Sequence, residues 1–280
     1  MALLNTIANS HSTAAAATAA SSTTQIYPNP AIALPLFRRR KDLRVACWNV
    51  RTLCDDGVQA LTMKALHRYR VSVACLSEVR LADVGHLPIK VPGEEFTYHL
   101  YHSGVTDNSG LHGVATALSP DAQAALLAWQ PISHRLALVR LKGQISNVSV
   151  IAVYAPTLNA DDADKMQFYA DLQAAVDDVP SSDVPIVAGD WNARTGPADD
   201  TTRHILGRFA LGARCDNGER LMSFKEANRL IVTNIRFQHP RHHLITWRSN
   251  DGRTANQIDY ILVRSRWASS VMDSRAFRGG

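Results

Sequence analysis

Four times in this chain, a strand-length apolar run ends on or encloses a polar residue that water would normally keep. Trp48-Asn49 and Ser77-Glu78 close two such runs, and Gly189-Asp190-Trp191-Asn192 closes a third. Gln257-Ile258-Asp259-Tyr260 sets a carboxylate inside a fourth. Burying a carboxylate costs several kcal/mol unless it is paired or holds a cation. A chain that repeats this arrangement at distant positions is building one site. The mix of carboxylates and amides suggests a divalent metal and a phosphate ester.

The 280 residues allow one large domain or two small ones, and a hydrophobic fraction of 46% can fill a substantial core. No apolar run approaches bilayer length, so a soluble chain with no membrane partner is expected. The net charge is +5 and the pI is near 9.2. Arg outnumbers Lys, and its planar fork suits phosphate oxygens. This balance fits a nucleic-acid partner and fits an ordinary basic enzyme surface equally well. Cys47, Cys54, Cys75 and Cys215 form no C-x-x-C pair, which excludes a zinc knuckle. Cys47 and Cys75 lie inside apolar strands and read as core, a reducing-compartment pattern that points to the cell interior.

Residues 1–37 are rich in Ala, Ser and Thr and carry no stripe of large apolar side chains. They read as a disordered tail, which the basic run Arg38-Arg39-Arg40-Lys41 extends to residue 42. That run reads as a solvated cluster ahead of a nuclear address. The start lacks the basic and apolar regions of a secretory signal. A folded domain is expected over 43–280. Strands are expected at 43–50, 71–76, 96–101, 113–118, 136–141, 148–154, 184–188, 230–233, 245–247 and 258–263. Val58, Leu61, Ala65 and Tyr69 fall at helical spacing, as do Met166, Tyr169, Leu172 and Val176 within 161–178. Residues 218–228 read as a helix with Asp216 or Asn217 as its cap. The pattern predicts an α/β fold, with sheets packed face to face and helices outside.

Taken singly, each candidate has an ordinary explanation. Glu78 suits a loop, Asp190 and Asn192 suit a turn, Asp259 suits a solvated strand edge, Asn49 suits a cap and Tyr154 suits the core. Asp190 and Asn192 are two apart and can point the same way where strand geometry persists. The shared position at strand ends is what makes the combination specific.

The ordered stretches Cys47–Leu53, Leu76–Arg80, Val153–Pro156, Gly189–Ala193, Asn217–Leu221, Thr246-Trp247 and Gln257–Leu262 resemble the endonuclease/exonuclease/phosphatase family. The likeness is strongest to its retrotransposon-type (non-LTR) endonuclease domains and craniofacial development protein 2-like members. It spans roughly residues 43–278. The resemblance implies a four-layer α-β-β-α sandwich of two mixed sheets, with its site at one edge of the sheet pair. It implies Mg²⁺ or Mn²⁺ held by Glu78 with support from Asn49. Tyr154 would donate toward the scissile phosphate, Asp190 would orient or deprotonate the attacking water, and Asn192 would bind a phosphate oxygen. Asp259 would steady the metal region or polarise a histidine. Trp247 would line a nucleotide pocket, with Arg194, Asn217 and Thr157 as further substrate contacts. The implied partner is DNA, or alternatively RNA, and Arg203, Arg208 and Arg214 around the long loop would add phosphate contacts.

Two departures from the family pattern matter. Arg51 stands where some members carry an acid, which places more of the metal on Glu78. The family's closing Ser-Asp-His, with its catalytic histidine, is absent from this sequence. The sandwich is therefore expected to lack its last strand, as a truncated retroelement-type endonuclease with impaired activity. His112 and the pair His242-His243 read as solvated loop histidines. The competing expectations are an inactive nucleic-acid-binding remnant and a phosphatase acting on phosphoinositides or other small phosphoesters.

Overall fold

The structure is a computed structural model that describes residues 1–7, 42–107, 110–197 and 209–277, with residues 2–7 described as backbone only. In chain order its elements are β1 (Ala2–Ile7), β2 (Arg44–Asn49), α1 (Asp56–Arg68), β3 (Val73–Ser77), β4 (Val84–Lys90), β5 (Thr97–Ser103), β6 (Val114–Leu118), α2 (Pro120–Ala124), β7 (Leu126–Ser133), β8 (Leu136–Leu141), β9 (Val148–Tyr154), α3 (Asp162–Asp177), β10 (Val184–Asp190), α4 (Asp216–Ala227), β11 (Leu230–Val232), β12 (Trp247–Arg248), β13 (Ala255–Asn256), β14 (Asp259–Arg264) and β15 (Val271–Ala276). One sheet runs β15-β1-β2-β3-β6-β5-β4 and the other β11-β14-β10-β9-β8-β7, while β12 and β13 form a separate hairpin. Both large sheets are mixed, with parallel pairs at β2–β3 and β9–β10.

Strand alternation builds the layers. Val45 and Cys47 of β2 and Val73 and Cys75 of β3 face inward, where they meet Ile186 and Ala188 of β10 and Ile261 and Val263 of β14. Their neighbours Ala46, Ala74 and Leu76 face outward onto Met63 and Leu66 of α1. On the second sheet Val187, Tyr260 and Leu262 face outward onto Phe168 and Leu172 of α3 and Leu221 and Phe224 of α4. The result is the expected helix–sheet–sheet–helix sandwich. Central strands are buried on both faces, which is why they read as unbroken apolar runs. No helix among the described residues is long and apolar enough to cross a membrane. All four cysteines are free.

Helix starts follow side-chain chemistry. Asp55 accepts from the Val58 N–H at the head of α1, and Asp161 accepts from the Asp164 N–H at the head of α3. In α4 the capping position is Cys215, one residue before the expected Asp216, and no side chain caps the helix. Asp216 instead sits in the first turn and pairs with Lys165 and Arg220. Asn217 is drawn away from the cap by two loop carbonyls.

The tail expectation changes at its start. Ala2–Ile7 forms a strand between β2 and β15, antiparallel to both. Composition averaged over a long tail conceals a six-residue strand. Residues 8–41, including Arg38–Lys41, lie outside the described residues. Beyond β2 the first sheet thus continues through β1 to β15. The strands β4 and β7 were not read from sequence. Both are edge strands, and Pro88 in one and Pro131 in the other mask the strand pattern while being tolerated at an edge.

At the pole away from the sequence-predicted site, Asp183 is fully buried just before β10. It accepts from Arg140 Nε at 2.7 Å, Arg140 Nη2 at 3.1 Å and Ser149 Oγ at 2.8 Å. This pair ties β8, β9 and the entry to β10 together. Removing the acid leaves a desolvated guanidinium facing a buried hydroxyl. Asp183→Ala should destabilise the fold by about 3 kcal/mol, the low end for a buried pair because Arg140 keeps partial solvent access. A urea unfolding midpoint would read the loss, and an unchanged midpoint would show that the pair holds nothing.

Candidate active site

The register of the sheets makes the site. Tyr154 pairs with Asp190 across β9 and β10, and Asp190 pairs with Asp259 across β10 and β14. These three residues form a row across adjacent strands. Tyr154 and Asp190 follow, and Asp259 precedes, an inward-facing residue at a spacing of two, so all three point into the space between the sheets. On the facing sheet Asn49 pairs with Ser77, and Ser77 pairs with Val114, giving a second row by the same parity. The two rows cap one end of the intersheet core with polar groups.

The rows touch. Asn49 Nδ2 donates to Glu78 Oε1 at 2.6 Å and to Asp190 Oδ2 at 3.2 Å. The Tyr154 hydroxyl donates to Glu78 Oε1 at 3.4 Å. Asn192 N–H donates to Asp190 Oδ1 at 2.9 Å. Asn49, Glu78, Tyr154 and Asp190, far apart in sequence, thus meet around one point, as the sequence predicts. Asp259 stands beside Asp190, and its Oδ1 is buried with no partner.

Asp190 and Asp259 are 3% and 5% exposed. Burial holds both carboxyls well above the ordinary carboxylate range. The charge of Asp259 pushes Asp190 further, opposed by the Asn192 N–H and Asn49. The Met1 ammonium, carried by β1, acts in the lowering direction on Asp259. Burial and then the charges of Glu78 and Asp190 raise the Tyr154 phenol, which keeps it a hydrogen-bond donor.

Local backbone geometry aims these groups. Arg51, Glu78, Arg80, His112 and Asn192 all adopt left-handed backbone, at φ of 62, 55, 59, 61 and 46°. Each turns the chain just past a strand end or just ahead of a strand. Gly189 has φ 155°, and a Cβ there would lie 1.9 Å from the Val153 carbonyl oxygen. Only glycine lets β10 approach β9 closely enough to set Asp190 beside Tyr154.

Other predicted residues sit further out. Asn217 is 3% exposed, and its Nδ2 donates to the Pro156 and Asn192 carbonyls, both at 3.0 Å. It is therefore a positioning residue for two site loops, a correction to its expected substrate contact. Arg214 is also corrected: its guanidinium donates to the Thr195 carbonyl at 2.7 Å and pairs with Glu219 at 3.4 Å. Arg194 is half-buried and bonds Cys215 through its backbone. Thr157 is exposed on the loop after β9. Trp247 is 36% exposed on the β12–β13 hairpin. Its neighbour Thr246 anchors that hairpin, with Oγ1 accepting from the Ile258 and Asp259 N–H groups at 3.0 and 3.1 Å. Arg203 and Arg208 lie outside the described residues. Sequence reasoning missed His134 and Arg135, which reach the site only through the pairing of β8 with β9.

Among the described residues, no three His, Cys, Asp or Glu side chains cluster closely enough to hold a metal ion by themselves. The donors do fit Mg²⁺, which takes hard oxygens and keeps several waters. Glu78 and Asp190 are bridged by one neutral amide, and the Asp259 Oδ1 is orphaned. Arg80 Nη2 lies 3.7 Å from Glu78 Oε2, but Asp190 has no cationic partner among the described residues.

Two mixed sheets with paired strand ends that present carboxylates, amides and a phenol define an α/β sandwich of the phosphoester-hydrolysing type. The chain belongs to the Endonuclease/Exonuclease/phosphatase family, whose pattern matches residues 46–279. It is similar to craniofacial development protein 2 of Bos taurus, with 33% identity over 240 residues, 86% of this chain and 39% of the relative. This chain thus spans about two fifths of that relative's length. The fold is shared with the endonuclease domain of TRAS1, a telomere-specific non-LTR retrotransposon, at TM-score 0.50 and 12% identity, covering 79% of this chain and 84% of that one. It is also shared with the 3′ phosphatase NExo from Neisseria, at TM-score 0.52 and 19% identity, covering 80% and 88%.

The electrostatics of the aspartate pair give a pH signature. Both folded-state values lie above the ordinary range, so the pair ionises more easily in the unfolded chain. Its contribution to stability is full below about pH 4 and is lost as pH rises. Without divalent ions, Asp190→Asn should raise Tm at about pH 8 by at least about 2–4 °C, and the gap should close toward about pH 4. Thermal melts in EDTA read this directly. A variant less stable than the parent at the higher pH would refute the uncompensated charge.

Proposed function

We propose that this chain is a divalent-metal-dependent phosphodiesterase acting on nucleic acid, as a DNA endonuclease of the retroelement type. The observation that carries the reading is the bridge between the sheets, in which Asn49 joins Glu78 to Asp190 and Tyr154 reaches the same Glu78 oxygen. Glu78, with an oxygen of Asn49 and water, would hold Mg²⁺ or Mn²⁺. When bound, that ion supplies Lewis-acid charge to a phosphoryl oxygen.

The chain's own residues serve the attacking side of an in-line hydrolysis, while the P–O bond to the leaving alkoxide breaks and water supplies that oxygen's proton. Asp190, fixed by the Asn192 N–H, takes the proton of the attacking water. The Tyr154 phenol donates to a nonbridging oxygen, where charge grows in the transition state. Asn192 spends one amide hydrogen on the Ala155 carbonyl at 2.9 Å and keeps the other for phosphate. Asp259 steadies the row. Nucleic acid as substrate is supported by the net charge of +5 and by the exposed Arg51 and Arg80 beside the site. A second reading, a nucleic-acid-binding protein that cleaves poorly, is favoured by the orphaned Asp259 Oδ1.

Nicking of supercoiled plasmid in Mg²⁺ tests the reading. Activity should vanish in EDTA, and Glu78→Gln should lose at least about 10²-fold. Tyr154→Phe should fall in the same direction, and duplex binding should weaken steeply as salt rises. Salt-sensitive binding by the parent chain without any nicking would leave the binding reading. Turnover of a soluble inositol phosphate without DNA cleavage would move the substrate to small phosphoesters.

A further inference from the structure

The polar rows continue by one strand on each sheet. In the first sheet β6 follows β3, and His112 stands just ahead of β6. Its carbonyl accepts from the Arg80 N–H at 2.9 Å, and the Gly113 carbonyl accepts from the Val79 N–H at 3.3 Å. His112 is thereby fixed to the loop that follows Glu78. In the second sheet β8 follows β9, and His134 and Arg135 stand just ahead of β8. The Arg135 carbonyl accepts from the Tyr154 N–H at 2.9 Å, and Arg135 Nη1 donates to the Tyr154 carbonyl at 3.4 Å. Both are thereby fixed to the strand end that carries Tyr154.

Two loops from opposite sheets thus present their rings to each other. The His112 and His134 centroids are 5.5 Å apart, His112 and Tyr154 are 6.0 Å apart, and the Arg135 guanidinium lies 5.3 Å from the Tyr154 ring centre. All three nitrogen-bearing side chains are half-buried. Neither imidazole has a hydrogen-bond partner among the described residues.

We propose that His112, His134 and Arg135 form a subsite for a second phosphate of the substrate, the one that flanks the scissile phosphate. The inference rests on the phosphodiesterase reading of the adjoining row. Burial and the neighbouring Arg135 charge hold both imidazoles below their ordinary value, so at neutral pH each ring is neutral and keeps one N–H donor. Two such donors and a guanidinium fork give an anion a complete set of partners without a bound counterion in the way. The placement also suits a polynucleotide. The cluster adjoins Tyr154, with the His112 and Tyr154 ring centroids 6.0 Å apart, so it stands within reach of the phosphate next to the one that Tyr154 would meet. His112 holds left-handed backbone at φ 61°, a conformation that side chains rarely adopt, and this aims its ring across the gap. The subsite would make the enzyme prefer chains carrying consecutive phosphates over isolated diesters.

Fluorescence anisotropy in EDTA tests this without catalysis, using labelled DNA trinucleotide and dinucleotide that differ by one internucleotide phosphate. The parent chain should bind the trinucleotide about tenfold more tightly, the effect expected of a few added hydrogen bonds. The double variant His112→Ala/His134→Ala should bring the two affinities together while leaving the dinucleotide affinity unchanged. The double variant His112→Gln/His134→Gln, which keeps N–H donors, should retain most of the preference and separates lost donors from lost folding. Competition by inositol 1,4-bisphosphate in the parent but not in the alanine variant would also support the subsite and assign it to small bisphosphates. A preference that survives the alanine changes, or a parent chain with no preference, overturns the subsite and leaves the nuclease reading intact. A parent chain that binds neither DNA in EDTA overturns the subsite, and the nuclease reading then stands or falls on the plasmid assay in Mg²⁺.

Discussion

Two aspartates held side by side at the end of a closed apolar layer are the constraint around which this site is organised. Asp190 and Asp259 are paired in register on neighbouring antiparallel strands, and parity alone turns both side chains into the intersheet space. Like charges so placed cannot both ionise in a dry environment without help. For Asp190 the help within the chain is neutral, from the Asn192 N–H and the Asn49 amide, and for Asp259 it is the Met1 ammonium. The fold therefore holds a demand for positive charge at a defined place, which the proposed metal would meet. A cation seated on Glu78 would relieve the pair, and a phosphoester would bring its own charge to the same cation.

Holding that demand in place requires unusual backbone. Left-handed non-glycine residues cost of order 1–3 kcal/mol each, and Arg51, Glu78, Arg80, His112 and Asn192 gather at this pole. What outweighs their strain lies below them. The intersheet layer buries residues such as Trp129, Val139, Ile186 and Ile261 completely, each worth about 1.5–3 kcal/mol relative to exposure. Gly189 is the hinge between the two regimes. It belongs to a core strand, yet its missing Cβ is what admits the close approach of Val153. The apolar layer thus fixes the positions of the polar rows.

Much of this was legible in the residues. The buried central strands are continuous apolar runs, and the site residues stand at their ends, so period and position were both readable for Asn49, Glu78, Asp190 and Asp259. The edge strands β4 and β7 were not, because Pro88 and Pro131 break the expected pattern where only an edge tolerates them. Ala2–Ile7 was hidden for another reason: a strand with two partners needs little from its own composition. Asn217 was misread because a motif position shows that a side chain matters but not which way it points. Its Nδ2 is spent on two loop carbonyls, and its Oδ1 is buried without a partner. His134 and Arg135 carry no local signal at all, since only the pairing of β8 with β9 brings them to Tyr154.

The strand β10 makes the division between stability and function explicit, because it has a buried aspartate at each end. Asp183, at its entry, receives a guanidinium fork and a serine hydroxyl, so its charge is matched within the chain. Asp190, at its exit, receives only neutral donors and stands beside another acid. Both carboxylates carry the desolvation cost of the same strand, but only one is compensated. A group that is buried and satisfied works for the fold, and replacing it weakens the fold. A group that is buried and left short is a candidate for chemistry with something outside the chain, and replacing it should relax the fold. On this ground the proposed chemistry falls on Asp190, and not on Asp183, although the strand presents them as equivalents.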